Sequence, residues 1–353
     1  MKRPRSAAPG GAQVVTSLGE HLDHWTAGDR GREPVATTLS ILAATGAAMA
    51  ELLAEGPLGG DFGAVLRENA SGDAQKLLDV RANDMFLADL AKGPVAAVVS
   101  EESEAPITLS VSAPIAVALD PLDGSDNIDP NAPMGTVFSL LPATGPATFQ
   151  TQGERQLAAG FLLYGPYTTL VLTAGQGVHV FTLDRRERTF RLTRENLRIP
   201  AGRREYAING SNARHWPLPV RAFVEECLAG ADGPRGTDYN TRWLGCVVAE
   251  AYRVLLRGGI YLYPGDGRPG YERGRLRLLY EGNPLAALIE GAGGMATDGF
   301  TRILDIVPRS PHQRVPLIFG SADKVRHVIE LHGAGIPQAG QRPLFATRGL
   351  FKS

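Results

Sequence analysis

The chain of 353 residues has little cysteine and almost no net charge, and each shortage excludes a class of protein. The two cysteines, Cys227 and Cys246, lack the paired spacing of a metal or redox motif and can form at most one disulfide, as is usual in a reducing cytosol. The formal net charge of -1 leaves no overall field to attract nucleic acid or an anionic membrane. Chemistry that depends on charge must therefore be local.

Long hydrophobic runs are also missing. No apolar run approaches the roughly 20 residues that span a bilayer, and no hydrophobic signal region follows the basic residues near the N-terminus. None of the seven histidines has a partner at metal-binding spacing. We expect a cytoplasmic protein that binds neither membrane nor nucleic acid, long enough for one large domain or two ordinary ones.

One acidic segment stands out. Residues 120–129 read Asp-Pro-Leu-Asp-Gly-Ser-Asp-Asn-Ile-Asp and follow a short apolar run, which predicts a buried strand that ends at the first carboxylate. The closely spaced Asp120 and Asp123 suit Mg²⁺, and Gly124 and Ser125 can offer a backbone N–H and a hydroxyl to a phosphate. An acidic surface turn has the same composition, so this segment alone leaves both interpretations open.

A second acidic group favours the metal site. Residues 95–99 are also strand-like, and they lead into Ser100-Glu101-Glu102. Ligands of open α/β sheets collect beyond the carboxyl ends of the strands, so two strands that end in carboxylates point toward one cluster. The sequence therefore predicts a metal site where the two acidic groups meet.

Hydrophobic periodicity and turn residues predict the other elements. A helix is expected over 36–53 and a second over 74–90, with Asp73 as its N-cap and Asp79 at a position that is solvated by default. Residues 185–194 read as a charged connection. The remaining predictions are strands at 136–141, 158–164, 168–173, 178–183, 206–209, 260–263 and 315–319, and helices at 219–228, 244–256, 322–332 and from Pro284 to Gly291 with Asn283 as N-cap.

This order of elements predicts four parts of the chain. Residues 1–17 are expected to form a flexible N-terminal tail, and residues 336–353 a C-terminal tail. Between them lie an N-terminal α/β domain over 18–200, which carries the acidic segments, and a C-terminal α/β domain over 201–335.

Five motifs occur in order within residues 30–335: Gly72-Asp73-Ala74-Gln75-Lys76-Leu77-Leu78-Asp79-Val80, Ser100-Glu101-Glu102, Asp120 to Asp129, Tyr263-Pro264, and Leu276-Arg277-Leu278-Leu279-Tyr280-Glu281-Gly282-Asn283-Pro284. With them the chain resembles the class I fructose-1,6-bisphosphatases, within the superfamily of Mg²⁺-dependent, Li⁺-sensitive sugar and inositol phosphatases. The acidic motifs are shared by the superfamily, whereas the last motif is much narrower. The sequence of residues 238–243 is most similar to that of bacterial forms associated with carbon-fixation operons.

The resemblance implies an α/β (α+β) fold with α-β-α-β-α layers, assembled as a homotetramer. It implies hydrolysis of the 1-phosphate of D-fructose 1,6-bisphosphate in gluconeogenesis or the Calvin cycle, with two or three Mg²⁺ or Mn²⁺ ions per subunit. The implied catalytic residues are Asp79 and Glu102, which orient and deprotonate the attacking water, and Asp73 near a third metal. The implied metal ligands are Glu101, Asp120, the carbonyl of Leu122, Asp123 and Glu281.

The resemblance also implies a substrate site, formed by the acidic segment of the N-terminal domain and by residues of the C-terminal domain. Its residues are Asp123, Gly124, Ser125 and Asp126 at the departing phosphate, and Asn209, Arg242, Trp243, Tyr261, Leu262, Tyr263 and Arg275 around the sugar and 6-phosphate. Arg242 is expected to reach the site of a neighbouring subunit. It is predicted to open a helix, where a cation opposes the dipole, and this favours ligand binding over a structural role. Arg275 lies within a basic run, so the alternative to substrate binding is that it belongs to a solvated basic surface patch.

Departures from the family pattern affect specificity and regulation. Asp126 replaces a usual serine, Arg275 a usual lysine and Asn212 a usual tyrosine, and these changes could extend the substrate range to sedoheptulose 1,7-bisphosphate. The animal-type AMP site needs a Thr-Gly-Glu-Leu-Thr segment and a Lys-Tyr pair. Here these are Val35-Ala36-Thr37-Thr38-Leu39 and Pro114-Ile115, so we expect weak AMP inhibition. The inserted cysteine loop of the chloroplast enzyme is also missing, so we expect no thiol switch.

Two other functions remain open at this point. An inositol monophosphatase-like enzyme would share the acidic motifs, but it would have no second phosphate for Arg242 and Arg275 to hold. A non-catalytic sugar-phosphate binding protein would share the fold, but clustered carboxylates repel one another without a metal and are costly to keep.

Overall fold

The computed structural model describes residues 16–68 and 74–334. Within them the strands, numbered in chain order, are β1 Val65–Glu68, β2 Ala74–Lys76, β3 Val95–Ser100, β4 Ile107–Thr108, β5 Ile115–Asp123, β6 Met134–Pro142, β7 Ala158–Tyr164, β8 Thr168–Thr173, β9 His179–Asp184, β10 Thr189–Arg194, β11 Glu205–Ala207, β12 Asn240–Thr241, β13 Ile260–Tyr263, β14 Gly294–Thr297 and β15 Leu317–Ser321. The α-helices are α1 Leu18–Thr26, α2 Glu33–Glu55, α3 Leu77–Leu90, α4 Leu218–Leu228, α5 Val247–Arg257, α6 Asn283–Gly291 and α7 Ala322–Gly333.

The strands form two large sheets and one small ribbon. The first sheet has eight strands in the order β10-β9-β8-β7-β6-β5-β3-β4, and all its pairs are antiparallel except β3 with β5. The second has five strands in the order β12-β11-β13-β15-β14 and mixes parallel and antiparallel pairs. Strands β1 and β2 form the ribbon. The strands predicted at 136–141, 158–164, 168–173 and 178–183 correspond to β6, β7, β8 and β9 of the first sheet.

The layers follow from side chains that alternate across each strand. In β7, Leu162 packs with helices α1 to α3, whereas its neighbour Phe161 packs with α5 and α6. In β13, Tyr261 faces α5 and α6, and Leu262 packs with α4 and α7 on the far side. The order is therefore helices, eight-stranded sheet, helices, five-stranded sheet, helices, as the resemblance implied.

Helix α2 is longer than the sequence analysis expected and, within the described residues, is the one helix long and apolar enough to cross a bilayer by length and composition. Its apolar side chains pack on the large sheet and on α3, including the fully buried Leu42 and Met49. Gly46 lies so close to Leu162 that a Cβ there would overlap the leucine methyl groups. Core packing accounts for the apolar character of this helix.

Several predicted boundaries were wrong. Residues 74–76 form strand β2, and α3 begins at Leu77 with Lys76 as N-cap, so the predicted N-cap at Asp73 is incorrect. Asn283 is not an N-cap either, because the π-helical turn Leu278–Gly282 runs directly into α6. The charged connection 185–194 is a hairpin turn followed by strand β10.

The predicted N-terminal tail is too long by at least two residues. Ser17 is the N-cap of α1 and forms a capping box with Glu20. The backbone carbonyl of Thr16 accepts a hydrogen bond of 2.8 Å from the N–H of Leu192 in the edge strand β10. These contacts tie the start of α1 to the sheet.

Candidate active site

The acidic segment lies at the end of β5, inside the large sheet. Asp120 pairs with Val137 of β6, and a bulge separates this pair from the next, Asp123 with Gly135. Gly124 then takes a left-handed conformation, with φ of 77°, that suits glycine. Bulges of this kind occur beside active sites, because they redirect side chains out of the regular pleat.

Buried hydrogen bonds hold the backbone of this bulge. The N–H of Leu122 donates to Asp120 Oδ1 at 3.0 Å. The hydroxyl of Thr136 donates to the carbonyl of Pro121 at 2.9 Å and lies 2.8 Å from the hydroxyl of Tyr164. Leu122, whose carbonyl is the expected ligand, is buried within this network.

Three carboxylates meet beside the bulge. Strand β3 runs parallel to β5, and the N–H of Glu101 donates to the carbonyl of Leu119 at 3.0 Å, so Glu101 and Asp120 leave the sheet at one edge. Glu281 comes from the π-helical turn before α6. One oxygen each from Glu101, Asp120 and Glu281 lie within 4.8 Å of one another. The structure thus brings the two predicted acidic groups together and adds a third.

Burial and mutual repulsion perturb these carboxyl groups. Burial, followed by the charge of Glu101, raises the pKa of both Asp120 and Glu281 well above their usual ranges. Burial also raises the pKa of Asp79 and of Asp123 to about 6 each. For Glu102, burial and then the charges of Glu101 and Asp79 raise the pKa to about 7. Divalent cations would relieve this accumulation of negative charge.

One buried cation offsets part of the charge. The guanidinium of Arg277 is buried and ion-pairs with Glu101. The backbone N–H of Arg277 also donates to Glu281 Oε2 at 2.9 Å. Arg277 lies two residues after Arg275 in the same basic run, and the resemblance assigned it no role. A buried arginine beside an acidic motif can be recognised only when the partner strand is known.

The expected catalytic carboxyl groups lie next to this cluster. Asp79 is buried rather than solvated, because the first turn of α3 faces the sheet. Its Oδ2 accepts the Lys76 N–H at 2.7 Å, and its Oδ1 is buried without a hydrogen-bond partner among the described residues. Glu102 Oε2 accepts from Gln75 Nε2 at 2.5 Å. Asp73, the third expected residue, lies outside the described residues.

Asp123 contacts a different element from the other carboxylates. Its Oδ2 accepts the N–H of Val248 at 3.0 Å and the thiol of Cys246 at 2.9 Å, both at the start of α5. Cys246 was expected inside the helix predicted at 244–256. The helix begins at Val247, and Cys246 is its N-cap.

Asp126 does not point into a buried anion site. Its side chain is 96% exposed and pairs with Lys76 Nζ at 3.0 Å. The same ammonium donates to the carbonyl of Ser125 at 3.1 Å. Lys76 therefore compensates the carboxylate that replaces the usual serine, an arrangement that the sequence analysis had left open.

A concave pocket lies on the five-stranded sheet side of the molecule. Its wall includes Asn209, Tyr263 and Arg275, three of the expected substrate residues, together with Asn212, and it also contains Ile208, Trp216, Pro264, Asp266, Arg268 and Tyr271. The guanidinium of Arg275 is exposed and lies 5.1 Å from the ring centroid of Tyr271. Cations and amides around a concavity suit an anionic ligand with several oxygens.

Arg242 is placed differently from these residues. It follows the edge strand β12 in an extended segment, five residues before α5, so the predicted position at a helix start is wrong and the dipole argument does not apply. Its Nε lies 3.7 Å from Oε1 of the buried Glu205. Within the described part of the chain, Arg242 does not line the pocket that contains Arg275.

The remaining expected substrate residues fall on two sides of β13. The exposed Trp243 stacks on Tyr261 and Tyr263, with ring centroids 5.9 and 6.1 Å apart. Tyr261 is buried beneath this stack, and Leu262 points to the opposite face, where its side chain is fully buried. Among the described residues, Leu262 is not part of the pocket wall.

The acidic cluster fits divalent cations. All its candidate ligands are hard carboxylate or carbonyl oxygens, which suit Mg²⁺ and Mn²⁺, and the buried Asp79 Oδ1 lacks a partner among the described residues. Glu101, Asp120 and Glu281 would hold such an ion, with Asp123 and the carbonyl of Leu122 as further candidates.

Comparison with known proteins gives consistent results across the chain. A family model described as "Fructose-1-6-bisphosphatase, N-terminal domain" matches residues 30–195, and the corresponding C-terminal domain model matches residues 199–333. A "Fructose-1,6-bisphosphatase class 1" of Rhodopseudomonas palustris (strain BisB18) is 54% identical over 338 residues, which cover 95% of this chain and 98% of the relative. The chain belongs to the class 1 fructose-1,6-bisphosphatase family.

Other members of the family agree in sequence and in structure. The class 1 fructose-1,6-bisphosphatase of Azorhizobium caulinodans is 52% identical over 320 residues, covering 88% of this chain and 98% of the relative. The crystal structure of Leishmania major fructose-1,6-bisphosphatase in holo form superposes with a TM-score of 0.84 at 30% identity, over 91% of this chain and 100% of that one. The resemblance seen in the sequence is confirmed, and so is the layered sugar phosphatase fold.

Proposed function

We propose that this protein hydrolyses the 1-phosphate of D-fructose 1,6-bisphosphate, giving D-fructose 6-phosphate and phosphate, in a reaction that depends on Mg²⁺. The observation that carries the proposal is the convergence of Glu101, Asp120 and Glu281 within 4.8 Å in a member of this family. A polar pocket containing Arg275 and Tyr263 supports a substrate with a second phosphate.

The segment from Trp243 to Cys246 connects the two sites. Trp243 stacks on Tyr263, which lines the pocket, and three residues later the thiol of Cys246 contacts Asp123 of the acidic segment. A bisphosphate held at one end by the pocket would thus present its other end to the carboxylates. Binding energy from the remote phosphate then helps to orient the reacting phosphate.

We assign each group a role in this reaction. Bound Mg²⁺ would neutralise charge on the transferring phosphoryl group and on the leaving oxygen. Asp79 and Glu102 are placed to orient the attacking water and accept its proton. The backbone N–H groups around Gly124 and the hydroxyl of Ser125 are placed to hold the departing phosphate. Asn209, Tyr263 and Arg275 are placed to hold the 6-phosphate and the sugar.

The proposal also covers the number of metal ions, the assembly and the location of the protein. We place two or three Mg²⁺ or Mn²⁺ ions in each subunit, a homotetramer in which Arg242 serves a neighbouring pocket, and a cytoplasmic location. The division into domains at 18–200 and 201–335 is supported by the two sheets. Activity on sedoheptulose 1,7-bisphosphate is a second candidate, supported by Arg275 and Asn212 in the pocket wall.

The test is phosphate release with Mg²⁺ from fructose 1,6-bisphosphate, sedoheptulose 1,7-bisphosphate and inositol 1-phosphate. We expect release from the first substrate, and a loss of about a thousandfold in Asp120→Ala, which corresponds to about 4 kcal/mol. Asp184→Ala, at a half-buried carboxylate on β9, is the control that should retain activity. Preference for inositol 1-phosphate would favour the monophosphatase alternative, and no release from any substrate would favour a binding protein.

A further inference from the structure

The first turn of helix α5 is capped from another part of the chain. The N-cap residue, Cys246, makes no side-chain cap hydrogen bond of its own. Instead, Oδ2 of Asp123 accepts the N–H of Val248 at 3.0 Å, as a capping carboxylate does. The thiol of Cys246 donates to the same oxygen at 2.9 Å. Two donors at one helix start therefore hold one oxygen of a candidate metal ligand.

The contact leaves the carboxylate little freedom. Both hydrogen bonds end on Oδ2, so Oδ1 is the oxygen left for a cation. The neighbouring Gly124 packs on the same cysteine, since a Cβ at that glycine would lie 3.0 Å from the Cys246 Cβ. A substitution at Cys246 therefore changes the contacts of Asp123 and of the neighbouring Gly124.

We propose that Cys246 is a positioning residue for metal binding, whose thiol holds Asp123 in the orientation that a divalent cation requires. The inference rests on the proposed function, because it takes Asp123 as a metal ligand. Holding a ligand before the ion arrives lowers the entropy lost on binding, so removal of the thiol weakens metal affinity more than it changes the sugar site.

The protein contains a matched control for this role. Cys227 is also a free, buried cysteine, but it lies in α4 among residues that pack against the far side of the five-stranded sheet. The variants are Cys246→Ala, which removes the donor, Cys246→Ser, which keeps one, and Cys227→Ala. Cys246→Val removes the donor while filling most of the volume, and it replaces Cys246→Ala if that variant does not fold.

Metal affinity is measured without substrate, as the dissociation constant of Mn²⁺ from the loss of free Mn²⁺ signal in electron paramagnetic resonance. We expect Cys246→Ala to weaken Mn²⁺ binding by about tenfold, the size expected for one lost hydrogen bond to a charged group. Cys246→Ser should remain within about threefold of the wild type, because a hydroxyl is at least as good a donor, and Cys227→Ala should be unchanged.

Steady-state kinetics separate positioning from general damage. In Cys246→Ala the Mg²⁺ concentration for half-maximal rate should rise about tenfold, while KM for fructose 1,6-bisphosphate at saturating Mg²⁺ stays within about twofold. Unchanged Mn²⁺ affinity in folded Cys246→Ala would overturn the inference, and so would equal weakening in Cys246→Ser. If the wild type binds Mn²⁺ but releases no phosphate, the proposed function fails while the effect of Cys246 on Mn²⁺ binding still decides this inference.

Discussion

In a buffer that removes divalent cations, the free energy of unfolding should fall as the pH rises from about 4.5 to about 7.5. Burial raises the pKa of Asp79 and Asp123 from 3.8 to about 6 and that of Glu102 from 4.5 to about 7. In this pH range the unfolded chain has released protons that the folded protein still holds. A carboxyl group with a raised pKa therefore contributes stability at low pH and loses it as the pH passes through its folded value.

The size of the fall follows from the shifts. A difference of two pKa units corresponds to about 3 kcal/mol for one group. Because the charge of Glu101 contributes to all three shifts, the same repulsions enter more than once, and we expect a total of about 4 kcal/mol rather than the full sum. That is a large fraction of the roughly 5–15 kcal/mol by which domains are stable.

The assay is urea unfolding followed by tryptophan fluorescence, at fixed protein concentration, with a chelator or with saturating Mg²⁺. Mg²⁺ should remove most of the fall, because it stabilises the ionised carboxylates of the folded protein. Glu102→Gln should remove about a third of it. Asp184→Asn is the control, since the hydrogen bond from Arg191 lowers the pKa of this half-buried group and its contribution has the opposite sign. A stability that is flat or rises with pH in chelator would refute the reasoning.

Three further predictions concern the substrate side and regulation. Arg275→Ala should raise KM for fructose 1,6-bisphosphate by about tenfold or more with a smaller change in kcat, because a charge-assisted hydrogen bond to the remote phosphate is lost. An unchanged KM would show that Arg275 belongs to a solvated basic patch and does not bind the substrate. Asp126→Ser should alter kcat/KM by less than about threefold, because the exposed carboxylate is already paired with Lys76. A large increase in kcat/KM would show that the Asp126 carboxylate repels the phosphate. AMP should inhibit weakly in a phosphate-release assay, because Thr38 is buried with its hydroxyl bonded to Pro34 and Ile115 is buried as well.

Local patterns were sufficient for much of the fold. Strands β7, β8 and β13 match the predicted ranges, since short apolar runs between turn residues report burial directly. The boundaries of α3 and α6 were missed because each helix start depends on contacts outside it. Lys76 pairs in a ribbon before α3, and the turn before α6 packs its Glu281 into the acidic cluster.

In the candidate site, too, local patterns predict some of the contacts, whereas others depend on segments that are distant in the sequence. Asp120 and Glu101 could be placed together from sequence, because parallel strands that end in carboxylates share an edge of the sheet. The two-residue period of β13 predicts that Leu262 faces away from Tyr261 and Tyr263. The contact of Cys246 with Asp123 could not be predicted, since it joins positions 123 residues apart.

In this protein the apolar runs and the residues that follow them predict the strand ends where carboxylates collect, whereas the layers were expected only from the resemblance to the family. The motifs also carried the family assignment. Only the tertiary structure decided how these groups are held: Arg277 against Glu101, Lys76 against Asp126, and the start of α5 against Asp123. The reason is physical, because burial, pairing and pKa depend on distances between segments that no local pattern encodes.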